Sequence, residues 1–300
     1  MYKKGLILVL ITSIISGISI FINKFGVDFS NPYIFAFLKN TAVALIFTGL
    51  IVFFKYFKTL RQLKPKQWLI LLSIGLIGGS IPFLLFFKGL SMTSAAQGSF
   101  LQKTMFIYVV AMAVIFLKEK VSKNFLIGAL LLLLGNLLAL KTLKLSFGYG
   151  DLLIFIATLF WALENIISKY ALRDLPPKIV AWGRMFFGSI FISCFLALTG
   201  QTSLIFSINP SQITWILITS ALLFGYIITW YSGLKNIPVS LATTILLLGS
   251  PITTLLSLIS AGKIHLNEAA SGIIILCGLI VTIFAYKNFY KKPLLLVSNH

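Results

Sequence analysis

Ten runs of mainly apolar residues follow one another along the chain, each long enough to cross a lipid bilayer, with only short links between them. A bilayer core of ~30 Å requires about 20 such residues in a helix. The runs cover residues 5–25, 33–54, 67–88, 95–117, 123–141, 150–170, 178–199, 212–233, 239–261 and 267–287, numbered below as spans one to ten. Backbone amides in hydrocarbon must be satisfied internally, which leaves helices or closed barrels. The runs are continuous, without apolar/polar alternation, and this selects helices. Turn-forming pairs punctuate the links: Asn31-Pro32, Lys64-Pro65, Pro176-Pro177, Asn209-Pro210 and Ile237-Pro238. The expected fold class is all-α integral membrane, with ten transmembrane helices.

Composition removes the alternatives. Of 300 residues, 59% are hydrophobic and 10% charged, too few charges to cover a soluble protein of this size. The apolar content excludes disorder, and two cysteines, Cys194 and Cys277, exclude a disulfide scaffold. Met1-Tyr2-Lys3-Lys4 and the run behind it have the outline of a signal peptide. The run is too long for one, however, and no small-x-small cleavage site closes it, so it is read as a retained span.

The formal net charge of +19 is distributed unevenly. With the N-terminus in the cytoplasm, 17 lysines and arginines fall on the cytoplasmic side, including Lys55, Arg61, Lys118 and Arg173. Only 5 fall opposite: Lys24, Lys88, Lys141, Lys144 and Lys263. The positive-inside rule therefore places both termini, and a tail at 291–300, in the cytoplasm of a multi-pass cell-membrane protein. The basic balance reflects topology and attraction to lipid headgroups. No interleaved basic and aromatic platform for nucleic acid is present outside the spans.

The two halves align. An offset of 145 pairs Gly5 with Gly150, Asn23-Lys24-Phe25 with Ser168-Lys169-Tyr170, and Lys39 with Arg184. An offset of 144 pairs Phe87-Lys88-Gly89-Leu90 with Tyr231-Ser232-Gly233-Leu234, and Gly128 with Gly272. Residues 1–145 and 146–290 thus read as two copies of one five-helix unit. An odd number of spans turns the second copy upside down, giving the inverted repeat of many secondary transporters. Two such halves can exchange conformations and open a central site alternately to each face.

Ionisable groups at membrane depth cost ~2.5–3.5 kcal/mol each and usually face the bundle interior. Lys39, Lys103, Glu164 and Arg184 are the candidates. Lys39 lies about 9 Å deep from the outer side at 1.5 Å per residue, and Arg184 lies at similar depth from the inner side. Both can either snorkel to the headgroups or line an interior site. Lys103 is near the middle of span four, where snorkelling is hard. Trp161, Glu164, Asn165 and Ser168 share one helix face, and Ser16, Ser19 and Asn23 form the corresponding stripe on span one, which Thr12 extends. Such stripes serve as helix–helix glue or as cavity lining. Glu164 can neutralise a lysine, hold an ammonium or carry a proton. Gly75, Gly78, Gly79, Ser80 and Pro82 interrupt span three, and Gly249-Ser250-Pro251 interrupts span nine. These breakers fit unwound backbone at a cavity or simple close packing. Gln97, Gln102, Tyr108, Trp182, Tyr226 and Trp230 complete the candidate lining.

The chain lacks a Walker loop, its two histidines (His265 and His300) belong to no cluster, and its six carboxylates form no acid/base pair. No cofactor, metal or enzymatic reaction is expected, and transport would draw on a gradient.

The ordered set of Phe35-Ala-Phe-Leu-Lys39, Phe86-Phe-Lys-Gly-Leu90, Phe116-Leu-Lys-Glu-Lys120, Val180-Ala-Trp-Gly-Arg184, Trp230 to Pro238 and Leu248-Gly-Ser-Pro251 resembles the drug/metabolite transporter superfamily, in particular its EamA-type members. The resemblance covers nearly the whole chain. It departs where Thr104-Met-Phe-Ile107 lacks the family's span-four proline, where Lys263 replaces a glutamate, and in having Lys103 at all. It implies a multi-pass transporter of small metabolites, often an exporter. The expected function is secondary transport of a small polar, anionic or zwitterionic metabolite such as an amino acid. Lys103, with Lys39 or Arg184, would hold a carboxylate or phosphate, Glu164 and Asn165 would orient the rest, and Trp161 would be an apolar wall. The competing expectations are a proton-coupled exporter of lipophilic cations using Glu164, and a membrane subunit that transports nothing itself. The expected partners are a small-molecule substrate, the lipid bilayer and, as a coupling ion, a proton.

Overall fold

The computed structural model describes residues 2–28, 30–140, 147–262, 273–275 and 277–285. Lys141, Lys144, Lys263, His265, Gly272, the two ends of the expected tenth span and the tail at 291–300 lie outside the described residues. Among those described there is no strand. Eight helices are long and apolar enough to cross a membrane: Tyr2–Asp28, Pro32–Phe53, Pro65–Ser91, Ala95–Phe116, Tyr149–Ala171, Pro177–Leu198, Pro210–Leu234 and Val239–Ser260. They occupy spans one to four and six to nine. Two shorter apolar helices, Lys123–Leu138 and Ile273–Ala285, stand at the expected spans five and ten.

The prolines of the links explain the helix starts. Pro32, Pro65, Pro177 and Pro210 each occupy the first helical turn, where the missing N–H would have had no partner anyway. Asn31 and Asn209 cap two of these helices, accepting from Tyr33 and Ile34 N–H and from Gln212 N–H. The outer surface is apolar: Leu45, Phe53, Ile115, Leu198 and Leu217 all stand exposed. Lys39, Lys103, Glu164, Asn165 and Arg184 are instead buried, which is the distribution of a bundle solvated by lipid.

The halves interlock. Span one packs most closely on spans eight and nine, and span six on spans three and four. Gly5 lies so close to Gly233 that an added Cβ would stand 3.2 Å from its carbonyl oxygen, and Gly150 meets Gly89 in the same way at 2.9 Å. These are four of the six glycines that the sequence offsets pair. The crossings therefore correspond, and small residues let the backbones approach. Lys24 at the end of span one donates to the carbonyls of Leu90 (3.1 Å) and Ser91 (3.4 Å). Its counterpart Lys169 donates to those of Leu234 (2.6 Å) and Ile237 (2.7 Å). Each lysine thus satisfies orphan carbonyls where a helix ends. Helices five and ten pack on one another through Gly128, Gly135, Gly278 and Thr282.

Among the described residues, three spans are discontinuous. Span three contains a π-helical stretch, Gly75–Ser80. Span four divides at Thr104 into Ala95–Lys103 and Met105–Phe116. Span nine divides into Val239–Leu246 and Gly249–Ser260. The π-helical stretch of span three is glycine-rich, and the break of span nine immediately precedes Gly249-Ser250-Pro251. The one at Thr104 has neither glycine nor proline, and it stands 144 residues before Leu248 in the break of span nine.

Candidate functional site

Spans three and four, two of the three discontinuous ones, join spans one, two, six, seven and eight around a cavity. Both halves contribute. Ser16, Ser19, Ile20 and Asn23 come from span one, Lys39 from span two, Phe83, Phe86 and Phe87 from span three, and Gln102 and Met105 from span four. Trp161, Glu164 and Asn165 of span six, Arg184 of span seven, and Leu223 and Tyr226 of span eight complete it.

One part of the site is an ion pair between Glu164 of span six and Arg184 of span seven. Glu164 is fully buried, and Arg184 Nη1 stands 3.5 Å from its Oε2. Tyr231 donates to Glu164 Oε1 at 2.6 Å, Ser168 donates to the same oxygen, and Arg184 Nη1 contacts the Tyr231 hydroxyl at 3.2 Å. The carboxylate therefore has a counter-charge and two further donors, as a buried charge requires. Gly78 in the π-helical stretch accepts from Trp161 Nε1 at 3.0 Å and from Arg184 Nε at 3.2 Å. A backbone carbonyl freed by the irregular turn thus anchors two lining side chains. Gly78 has to be glycine, because Glu164 Cγ occupies the space a Cβ would take.

The other part holds Lys39, 1% exposed, so its ammonium does not snorkel. Lys39 Nζ donates to Asn23 Oδ1 at 2.6 Å, and Asn23 Nδ2 donates to Ser19 Oγ at 3.2 Å. Lys39 Nζ also lies 5.1 Å from the Phe87 ring centre and 5.6 Å from that of Phe35. No carboxylate among the described residues pairs with it. Arg184 is likewise buried, at 4% exposure.

Lys103 stands one side chain behind the lining. It is 2% exposed at the break of span four, and donates to Ser16 Oγ at 2.5 Å and to Gln102 Oε1 at 2.8 Å, both groups of the cavity wall. Its Cε packs on Gly249 in the break of span nine. The lysine therefore sits at the junction of two interrupted helices, and touches the cavity only through Ser16 and Gln102.

Asn165 is fixed by three contacts: Nδ2 donates to Trp161 O (2.9 Å) and to Met105 Sδ (3.3 Å), and Oδ1 accepts from Trp230 Nε1 (3.1 Å). Trp161 packs edge-on or tilted against Phe83 and Phe86, with ring centres 5.6 and 5.2 Å apart. Of the remaining candidates, Gln102 and Tyr226 face the cavity, while Gln97, Tyr108 and Trp182 do not. Trp182 bonds Thr48 and stacks on Phe186 instead. Thr12 bonds Thr229 across the span one–span eight contact, which is the glue role. The sequence reading missed Phe83, Phe86, Phe87 and Tyr231. The phenylalanines look like any lipid-facing residue, but the offset pairing Phe87 with Tyr231 marks both.

Comparison with known proteins agrees with this architecture. The model of the EamA-like transporter family matches residues 3–141 and again 148–284. The chain is 24% identical over 279 residues to the uncharacterized transporter YyaM of Bacillus subtilis, covering 89% of this chain and 90% of that one. It is 25% identical over 288 residues to an uncharacterized transporter of Archaeoglobus fulgidus, covering 94% and 99%. A solved crystal structure shares the fold with a TM-score of 0.74 at 16% identity, over 95% of this chain and 97% of that one. A multi-pass bundle of apolar helices, a polar cavity lined from both halves, and a family match over nearly the whole length lead to one conclusion: this chain belongs to the EamA-like transporter family of the drug/metabolite transporter superfamily.

Proposed function

We propose that the protein is a secondary transporter, working as an exporter from the cytoplasm, for a small anionic or zwitterionic metabolite. One observation carries this reading. The cavity is lined by two buried cations, Lys39 and Arg184, and one buried acid, Glu164, with a third buried cation, Lys103, directly behind the wall. Glu164 and Arg184 compensate each other, so Lys39 and Lys103 leave an excess of positive charge in a low-dielectric interior. Unpaired charge there is expensive, and a bound anion relieves it. Binding sites placed between halves of a membrane transporter serve alternating access. The corresponding crossings Gly5–Gly233 and Gly89–Gly150 support two inverted units that move against each other. Helix ends and breaks at equivalent positions of the two halves support the same mechanism.

Export of lipophilic cations through Glu164 is the weaker reading. That carboxylate already holds Arg184, Tyr231 and Ser168, so a cation would have to displace an internal partner. The test is counterflow in proteoliposomes of the purified chain, using radiolabelled carboxylates, amino acids and a cationic dye, with and without a pH gradient. Saturable flux of an anion or amino acid, dependent on the protein, is the expected result. Flux of the dye alone would favour the cation reading, and no flux of any kind would favour a non-transporting subunit.

A further inference from the structure

The sequence offsets turn the two charged parts of the cavity into a comparison of the protein with itself. Lys39 corresponds to Arg184, Asn23 to Ser168, Ser19 to Glu164, and Phe87 to Tyr231. The structure repeats the arrangement. In the second half the base of span seven lies against an aromatic ring of span eight, and polar groups of span six hold it. In the first half the base of span two lies against an aromatic ring of span three, and polar groups of span one hold it. One component differs. Where the second half has a carboxylate, accepting from Arg184, Tyr231 and Ser168, the first half has the short hydroxyl of Ser19. Among the described residues the cation there has no acid, and Ser19, Asn23 and Lys39 all border the cavity.

We infer that the Ser19–Asn23–Lys39 cluster is the subsite for a carboxylate of the substrate, which takes the place that the Glu164 carboxylate fills in the other half. The ammonium of Lys39, the hydroxyl of Ser19 and the amide Nδ2 of Asn23 supply three donors, as Arg184, Ser168 and Tyr231 do for Glu164. Phe87 lacks the hydroxyl of Tyr231, so the fourth side of the subsite is an apolar wall. Beyond it the cavity continues over Phe83, Phe86 and Trp161. The substrate class is therefore a monocarboxylate with an aromatic or other apolar body. The one acid on the cavity wall is already engaged, and an amino group on that body would find no free carboxylate. Lys103 is a positioning residue in this arrangement: it holds Ser16 and the junction of spans four and nine. The assignment rests on reading the cavity as a transport site, and adds which base receives the anion.

The test separates binding from flux. Thermal unfolding of the purified full chain is measured with phenylacetate, phenyl phosphate and phenethylamine, which share one ring and differ in charge group. Phenylacetate is expected to raise the melting temperature saturably, and the other two to do so weakly or not at all. Ser19→Glu supplies the missing acid from the protein itself. It is expected to melt higher without ligand, and to need at least about tenfold more phenylacetate for half-saturation, the equivalent of about 1.4 kcal/mol. Should that variant not fold, Lys39→Gln serves, with the same loss of response. An unchanged phenylacetate response in either variant overturns the assignment, and so does a wild-type protein that prefers phenethylamine or phenyl phosphate or that answers none of the three. If phenylacetate binds in a Ser19- and Lys39-dependent manner while vesicles take up no solute, the subsite stands and the transport reading fails. Carboxylate flux that survives Ser19→Glu has the opposite meaning.

Discussion

The ion pair of Glu164 and Arg184 offers a quantitative test of how the site is held together. At 3.5 Å and an effective dielectric constant of ~20, the gross attraction is about 5 kcal/mol. Desolvation of both groups offsets most of it, so the pair adds little net stability compared with two apolar residues. Breaking it is another matter. Arg184→Gln leaves the Glu164 carboxylate buried with only Tyr231 and Ser168, and Glu164→Gln leaves a guanidinium facing Tyr231 and the Gly78 carbonyl. Each single change is expected to destabilise by about 3 kcal/mol. The double variant carries no unpaired charge and retains groups that can bond across the same gap. Its cost is expected to be about that of one single change, which puts the coupling at about 2–3 kcal/mol. Ordinary polar contacts between membrane helices couple by about 0.6 kcal/mol on average, so the difference is measurable. Unfolding in mixed detergent micelles of increasing SDS content, followed by tryptophan fluorescence, gives the four free energies of the cycle. Additive single effects, with coupling near the ordinary value, would refute the claim that Glu164 is neutralised inside the protein.

Further outcomes follow from other contacts. Gly79→Ala and Gly188→Ala should each prevent accumulation of folded protein, because these residues meet backbone to backbone between spans three and seven, whereas Gly49→Ala, in open space, should leave the melting temperature within about 2 °C. Glu119→Ala removes the acceptor for Val239 N–H, Ser240 N–H and the Ser240 hydroxyl, and should cost about 1–2 kcal/mol in the same SDS titration; recovery of half of this by Glu119→Gln would show that hydrogen bonding as well as charge contributes. With Cys194 and Cys277 replaced by alanine, single cysteines at Thr59 and Gln201 should react with a membrane-impermeant thiol reagent from opposite sides. Labelling of both from one side would contradict inversion of the second half.

Helix boundaries were well marked in the sequence because the signals were local: a proline in the first turn, an asparagine cap before it, and about 20 apolar residues behind. The polar stripe of span six was equally visible, since Glu164, Asn165 and Ser168 repeat at helical spacing among apolar neighbours. What could not be seen depends on the partner. Whether Lys39 snorkels or turns inward is decided by Asn23 and Phe87, contributed by other helices. The position of Lys103 behind the wall depends on a break at Thr104 that no glycine or proline announces. The aromatic wall of Phe83, Phe86 and Phe87 was hidden for a simpler reason: in lipid, a phenylalanine facing outward and one facing a cavity carry the same apolar signal. The role of Glu119 was also out of reach, because the helix it caps begins 120 residues further on.

The π-helical stretch at Gly75–Ser80 has a consequence for the register of everything behind it. A π-turn carries one more residue than an α-turn, and each residue of an α-helix advances by about 100°. The side chains after residue 80 are therefore rotated by roughly that angle from where a regular helix would have put them. It is this rotation that brings Phe83, Phe86 and Phe87 onto the inner face, while the widened turn offers Gly78 O to Trp161 and Arg184. Deleting a single residue between Gly75 and Ser80 would leave a helix that still spans the bilayer but puts Leu84, Phe87 and Lys88 where Phe83, Phe86 and Phe87 now face the cavity. Fold and site specificity in this protein are thus separable by one residue, and that residue lies in a stretch of glycines.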